Sequence, residues 1–356
     1  MKKLIVSVVA GLTLFSAAVA QDLTGAGATF PFPLYSKMFN EYEKLTGLQV
    51  NYQSIGSGGG QRQMLEQTVD FGGSDAPMTD ESLAQAPASS AYGGPNPILH
   101  IPAALAAVVP TYNFEPLSPN PAEPLRFSGA VLADIFLGNI TNWSDPRLQA
   151  LNPDIALPEL EITVVHRSDG SGTTSIFVDY LAKVSEQWAR EVSSGSQTSV
   201  SWPVGNGGKG NEGVAGLVSQ IPGAIGYVSL EYAVANGLGV GIVQNSSGNF
   251  VDPTLDAVAA AADVELPEDM RATFTNTDNP EGWPIAGFTW ILVYQDQNYK
   301  GRSMEQAQRT VDLIRWMITD GQQYNNALNY AQVLGAARDG GLRLLDTITY
   351  GGEALE

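Results

Sequence analysis

Strand-like and helix-like runs alternate along most of this chain, and the bends between them are built from glycine, serine and threonine. "LQVNYQSI" (48–55) alternates as a half-buried strand does and leads through Gly-Ser-Gly-Gly-Gly into a helical run. "ITVVHR" (162–167) is a short β-branched run suited to a buried strand. It gives way to "SDGSG" and then to "TTSIFVDYLAKVSEQWARE", a helix with Ile176, Tyr180, Leu181, Val184 and Trp188 on its inner side. "PFPLYSKMFNEYEKLTG" sets Leu34, Met38, Tyr42 and Leu45 on one helical face and stops at Gly47. "AIGYVS", "GVGIVQ" and "FTWILVY" read as further strands. "EQAQRTVDLIRWMITDG" reads as a helix with Ala307, Val311, Ile314 and Ile318 inward and Gly321 as its stop. Such alternation packs as α/β layers, because each strand must bury its faces under the helices that connect it. The Pro-rich stretches 84–97 and 110–124 read as surface loops, and "GNGGKGNEG" (205–213) as a glycine-rich turn, since no Gly-Lys-Ser/Thr closes it.

The chain has 356 residues, ordinary for two domains, and 44% of them are hydrophobic, enough for a sizeable core. Eighteen Lys and Arg against 37 Asp and Glu give a net charge of -19. Nucleic acid and anionic membrane surfaces are excluded as partners, because neutralising phosphates takes a basic face. A small anion would have to be held by local geometry against the global field. Residues 1–20 have the make-up of a secretory signal: Lys2 and Lys3, an apolar run from Leu4 to Ala17, and the small-x-small site Ala18-Val19-Ala20. Cleavage is expected near Ala20 and a mature start near Gln21, which points to the bacterial periplasm. With no cysteine, the chain has no disulfide, thiol nucleophile or thiolate metal site, and with only His100 and His166 it has no multi-histidine site. No metal or other cofactor is expected.

One junction concentrates chemistry. The strand 162–167 ends on Arg167, and a helix starts near Thr173. The first N–H groups of a helix lack intrahelical partners, and its macrodipole puts partial positive charge there. Glycines allow a tetrahedral anion to approach the main chain, hydroxyls add donors, and Arg167 supplies a forked permanent cation that Asp169 can orient. Serine and threonine also cap helices with no ligand involved, so this junction alone fits either reading. "TGAGATFPFPLY" (24–35) and "YQSIGSGGGQRQMLEQ" (52–67) repeat the design, and "VDFGGSDAPMT" (69–79) adds Asp75 among small residues, where it could equally cap a turn. Several such junctions point to convergence on one anion.

Taken in order, "LTGAGATFPFPLY", "YQSIGSGGG", "VDFGGSDAPM", "HRSDGSGTT", "WPVGNGGKGNEGVAG" and "PGAIGYVSLEYA" resemble the periplasmic phosphate-binding proteins of phosphate-specific ABC importers, through most of the chain. The resemblance implies an α/β, two-lobed periplasmic binding protein fold (type II-like), each lobe a mixed β-sheet flanked by helices, with two hinge crossovers. One HPO4 2- ion would lie between the lobes. By the same resemblance the lobes are 22–107 plus 288–356 and 108–287, with crossovers near Val108–Asn113 and Ile285–Phe288. Thr29 and Phe30 match the first-loop contacts, Ser57 the serine of the glycine-rich loop, and Asp75 the acceptor carboxylate. Arg167 matches the ligand arginine, Asp169 its salt-bridge partner, and Ser171, Gly172 and Thr173 the helix-start donors. The implied partners are inorganic phosphate and an ABC permease of two transmembrane proteins with an ATPase, and the implied state is a monomer. The 84–97 loop and the proline-free "NYAQVLGAARDGG" depart from the family's usual pattern, at surfaces that would dock on the permease.

Two other functions compete. A secreted hydrolase could use Ser171, but no Gly-x-Ser-x-Gly elbow frames it, and His166, adjacent to Arg167 on a strand, should face away from it. A binder of sulfate or molybdate would need no Asp75, because those ions bring no proton for a carboxylate to accept.

Overall fold

The computed structural model describes residues 22–114 and 123–355. The signal segment lies outside the described residues, as does most of the second Pro-rich loop. Eight strands build the frame: β1 Leu23–Gly27, β2 Val50–Ser54, β3 Phe71–Ser74, β4 Ile98–Asn113, β5 Thr163–Arg167, β6 Asn206–Gly208, β7 Ala224–Ser229 and β8 Ala286–Tyr294. They lie in the order β2-β1-β3-β8-β4-β7-β5-β6. The 16-residue β4 is shared between two halves. Its residues 98–107 run antiparallel to β8, and its residues 108–113 run antiparallel to β7. Beyond β8, β3 and β2 flank β1 in parallel; beyond β7, β5 and β6 are parallel. Each half thus joins parallel strands, whose carboxyl ends feed helices, to an antiparallel strand. The register slips between Thr289 and Trp290, opposite Pro102, which has no N–H to give to the ladder.

The core follows the alternation in the sequence. β4 and β8 are buried almost throughout because helices cover both their faces. Helix α1 (Phe32–Thr46) buries Leu34, Tyr35, Met38, Phe39 and Tyr42 and ends at Gly47, whose φ of 76° suits glycine, and helix α2 (Ser57–Leu65) follows β2. Leu45, expected inward, is 68% exposed; it sits in the last turn, at a surface groove shared with Trp316 and Leu334.

Other expectations need correction. The long helix 173–191 is two helices, α3 (Gly172–Val184) and α4 (Glu186–Glu191). Ser185 ends the first in extended backbone and caps the second by accepting the Trp188 N–H. The helix Met304–Met317 stops before Gly321, which lies in a 3-10 turn over Asp320–Tyr324. Residues 110–113 belong to β4, and the 84–97 loop contains a small hairpin of Ala88–Ser89 with Gly94–Pro95. "GNGGKGNEG" is not merely a turn: it supplies β6 and the start of helix α5 (Gly210–Gln220), a further strand-to-helix junction.

Candidate functional site

Parallel strands aim their carboxyl ends, and the helix starts beyond them, at one place. From the first half come Thr29 after β1, Ser57 after β2 and Asp75 after β3. From the second come Arg167 and the start of α3 after β5, and Asn211 after β6. All are buried, none more than 3% exposed. The halves touch here: the Gly172 N–H donates to Ser57 Oγ at 3.1 Å, the Gly58 N–H to the Gly170 carbonyl at 3.0 Å, and the Asn211 N–H to Thr29 Oγ1 at 3.2 Å. Only glycine fits at position 172, since a Cβ there would lie 2.5 Å from both Asp75 Cβ and Ser57 Oγ.

Arg167 is held as a fork. Its Nε donates to Asp169 Oδ1 at 2.8 Å and its Nη2 to Asp169 Oδ2 at 2.6 Å, while Nη1 reaches Thr173 Oγ1 at 3.4 Å. The guanidinium side chain is 1% exposed, so its charge works in a low dielectric. Burial alone would raise the Asp169 carboxyl, but the Arg167 pair and the Gly210 N–H outweigh it and hold the group below its ordinary value. Asp169 is therefore ionised and fixes the arginine, as expected from their spacing.

Asp75 has the opposite environment. Burial raises its carboxyl to about 7, against the Thr289 hydroxyl, the Arg167 charge and Ser57, which lower it. Thr289 Oγ1 donates to Oδ1 at 2.7 Å. Among the described residues, Oδ2 has only the Ser57 hydroxyl, at 3.4 Å.

The hydroxyls are oriented by what they already accept. Thr29 Oγ1 receives the Asn211 N–H and, at 2.9 Å, Asn211 Nδ2–H. Thr173 Oγ1 receives Asn211 Nδ2–H at 3.1 Å and Arg167 Nη1–H. With their lone pairs engaged, both threonines have their own protons left to give. Asn211 is itself locked, because its Oδ1 accepts the Ser229 N–H at 3.0 Å.

Three tyrosines hold the first loop in the same manner. Tyr52 donates to the Ala28 carbonyl at 3.0 Å, Tyr232 to that of Thr29 at 2.7 Å and Tyr330 to that of Phe30 at 2.6 Å. In a trans peptide N–H and C=O point opposite ways, so the Tyr232 contact turns the Phe30 N–H away from Tyr232. Among the described residues, the N–H groups of Phe30, Ser57 and Thr173 have no protein acceptor although all three residues are buried.

Ser171 shows the capping role that its junction allowed. It is the α3 N-cap, accepting the Thr174 N–H at 3.0 Å, and its own N–H goes to the Thr198 carbonyl. His166 stacks on Trp202, ring centroids 5.0 Å apart, and its Nδ1 meets the Arg167 carbonyl. Among the described residues no three His, Asp or Glu side chains converge as a metal would require. Asn211, Thr289 and the three tyrosines were not singled out in the sequence. Only Asn211 carried a local signal, a glycine-rich stretch entering a helix.

A model described as a PBP superfamily domain matches residues 16–320. The phosphate-binding protein PstS of Pasteurella multocida is 44% identical over 314 residues, 87% of this chain and 86% of the relative. That of Haemophilus influenzae is 42% identical, covering 89% of this chain and 90% of its own length. Among solved structures, a high affinity periplasmic phosphate-binding protein (PfluDING) bound with phosphate superposes with a TM-score of 0.73 over 93% of this chain and 97% of that one, at 21% identity. The fold is the two-lobed α/β fold of periplasmic binding proteins, and the chain belongs to the PstS family of phosphate-binding proteins.

Proposed function

We propose that this protein captures one inorganic phosphate, as HPO4 2-, at the convergence of Thr29, Phe30, Ser57, Asp75, Arg167, Ser171, Gly172 and Thr173, and delivers it to an ABC importer without chemical turnover. The observation that carries the reading is Asp75 in a ring of donors. A buried carboxyl opposite a dianion is repulsive unless one proton lies between them. HPO4 2- brings that proton, and Asp75, raised to about 7, is matched to share it. Arg167 offsets the ligand's charge from a guanidinium that Asp169 keeps in place. The N–H groups of Phe30, Ser57 and Thr173 and the hydroxyls of Thr29 and Thr173 supply neutral donors. Ser171 and His166 do not touch as a nucleophile and base would: the serine hydroxyl faces Thr174 and the imidazole stacks on Trp202.

The lobes are 22–107 with 288–356, and 108–287. The change of partner along β4, from β8 at Ala107 to β7 at Val108, supports crossovers near 108–113 and 285–288. The partner is a permease of two transmembrane proteins driven by an ATPase, met by a monomer in the periplasm after cleavage of a signal near Ala20. No helix of the described residues is long and apolar enough to cross a membrane.

Titration calorimetry of phosphate and sulfate tests this reading. The wild-type protein should take up one phosphate and reject sulfate by ~10^4 or more at pH 8. Sulfate needs Asp75 protonated, so its affinity should rise as pH falls through about 7. Asp75→Asn keeps an acceptor for phosphate and adds N–H donors, and should admit sulfate. An unchanged phosphate-to-sulfate ratio in Asp75→Asn would reduce Asp75 to a turn cap, and sustained phosphate-ester hydrolysis lost in Ser171→Ala would replace the binder with an enzyme.

A further inference from the structure

Glu231 follows β7, in the first turn of the short helix α6 (Leu230–Ala235), and is 7% exposed. Its Oε1 accepts a bond from the Ser229 hydroxyl and lies 2.6 Å from the Tyr330 hydroxyl oxygen. Its Oε2 is buried without a partner among the described residues. The Tyr330 oxygen is also 2.6 Å from the Phe30 carbonyl. Tyr330 belongs with the first half: the adjacent Ala331 exchanges both backbone hydrogen bonds with Leu105 of β4.

Counting protons decides the charge of this chain of groups. The Phe30 carbonyl can only accept, and Tyr330 has one proton. If Glu231 were ionised, two acceptors would crowd one tyrosine proton, and the orphan Oε2 would be a buried, unpaired part of a charge. If Glu231 carries the proton, it donates to Tyr330, Tyr330 donates to Phe30, and each short contact has its hydrogen. We propose that Glu231 is a proton-bearing latch between the halves, a positioning residue that takes up a proton as they close and so keeps Tyr330 on the loop that presents the Phe30 N–H. This rests on the reading of the site as a phosphate trap.

The surroundings agree with the geometry. Burial raises the Glu231 carboxyl to about 8; Ser229 and Tyr330 oppose this, and the Asp75 charge adds to it. The other titratable group on its own helix, Tyr232, lies under the fields of Glu212, Glu231, Arg167 and Asp75 and is itself raised by burial. The sign follows. A carboxyl raised in the closed form favours closure fully below its ordinary range and loses that contribution as pH rises towards about 8.

The test is phosphate calorimetry at pH 6.5 in two buffers of different ionisation enthalpy, which counts protons taken up per phosphate bound. Glu231→Gln is neutral at every pH and nearly isosteric. Wild type should take up about one proton more than Glu231→Gln, because protonation of the ligand and of Asp75 cancels in the difference. From pH 6 to 8 the wild-type affinity relative to Glu231→Gln should fall, by up to about tenfold per pH unit. Should Glu231→Gln fold poorly, Tyr330→Phe removes the acceptor of the proposed proton and should also reduce the uptake. Equal proton counts in proteins that both bind phosphate would overturn the latch alone. No phosphate binding by wild type would overturn the functional reading and the latch with it.

Discussion

The two halves of the sheet meet at one site but bring different chemistry to it. The second half brings charge: Arg167, clamped by Asp169, and the positive end of α3. The first half brings neutral donors and one carboxyl, Asp75, whose environment raises it where that of Asp169 lowers it. Asp75 is buried, whereas Asp169 is half-buried, its side chain 13% exposed. Asp169 also pairs directly with a guanidinium, whereas among the described residues the Asp75 side chain has only hydroxyl contacts. If the site holds phosphate as proposed, attraction for any oxyanion would come from one side and choice among oxyanions from the other, so the two properties could be broken separately.

Arg167→Ala should break the attractive side and give the largest effect. It removes the buried cation and leaves the half-buried Asp169 without its counter-charge, which in buried pairs costs about 2–5 kcal/mol. Phosphate affinity should fall by two orders of magnitude or more in a calorimetric titration. Ser57→Ala on the other side deletes one hydroxyl and should cost about 0.5–3 kcal/mol. Equal losses from the two would mean that backbone dipoles carry the charge compensation.

Asn211 sharpens the comparison, because it belongs to the second half but aims a hydroxyl of the first. Asn211→Ala frees a lone pair on each of Thr29 and Thr173 and should weaken phosphate binding by about 1–3 kcal/mol. Asn211→Asp keeps the shape but offers a carboxylate oxygen where Nδ2–H stood. The threonine protons should then turn to the aspartate and away from the ligand, and a like charge would lie nearby. Asn211→Asp should bind phosphate more weakly than Asn211→Ala; the reverse order would show that Asn211 only fills space.

The alternation of strand and helix was legible because apolar periodicity is a local property. So were Arg167, Asp169 and the donors of α3, since they lie within seven residues of one another. The eight residues assigned to the ligand came from their match to the family, and the structure brings them to one place. The supporting groups were not legible. Thr289 reaches Asp75 across 214 positions, and Tyr330 reaches Phe30 across 300. Their roles exist only once β8 lies beside β3 and once the chain beyond α7 (Met304–Met317) returns to β4. β6 escaped because a three-residue strand containing two glycines has no β-propensity to read. The break at Ser185 could have been found: serine followed by glutamate is helix-start chemistry, which the apolar periodicity on either side masked.

The remaining expected effect is on stability rather than on binding, and it separates the two aspartates by sign. Asp75 binds its proton more tightly in the folded protein than in the unfolded chain. Its contribution is complete below about pH 4 and is lost as pH rises through about 7, a change on the order of a few kcal/mol if the carboxyl stays enclosed. Asp169, lowered in the folded state, contributes in the opposite sense: its stabilisation is present above the ordinary carboxyl range and is lost as pH falls below it. Thermal unfolding of phosphate-free protein from pH 4 to 8 should therefore show Asp75→Asn gaining on wild type as pH rises and levelling off above about 7. Asp169→Asn should trail wild type by a nearly constant margin over the same range, a gap that closes only when the scan is carried below about pH 4. If wild type and Asp75→Asn instead traced parallel curves, the Asp75 carboxyl would be in water in the phosphate-free protein, and the halves would come together only around the ligand. The same scan with saturating phosphate would then show the enclosed Asp75 that the free protein lacked.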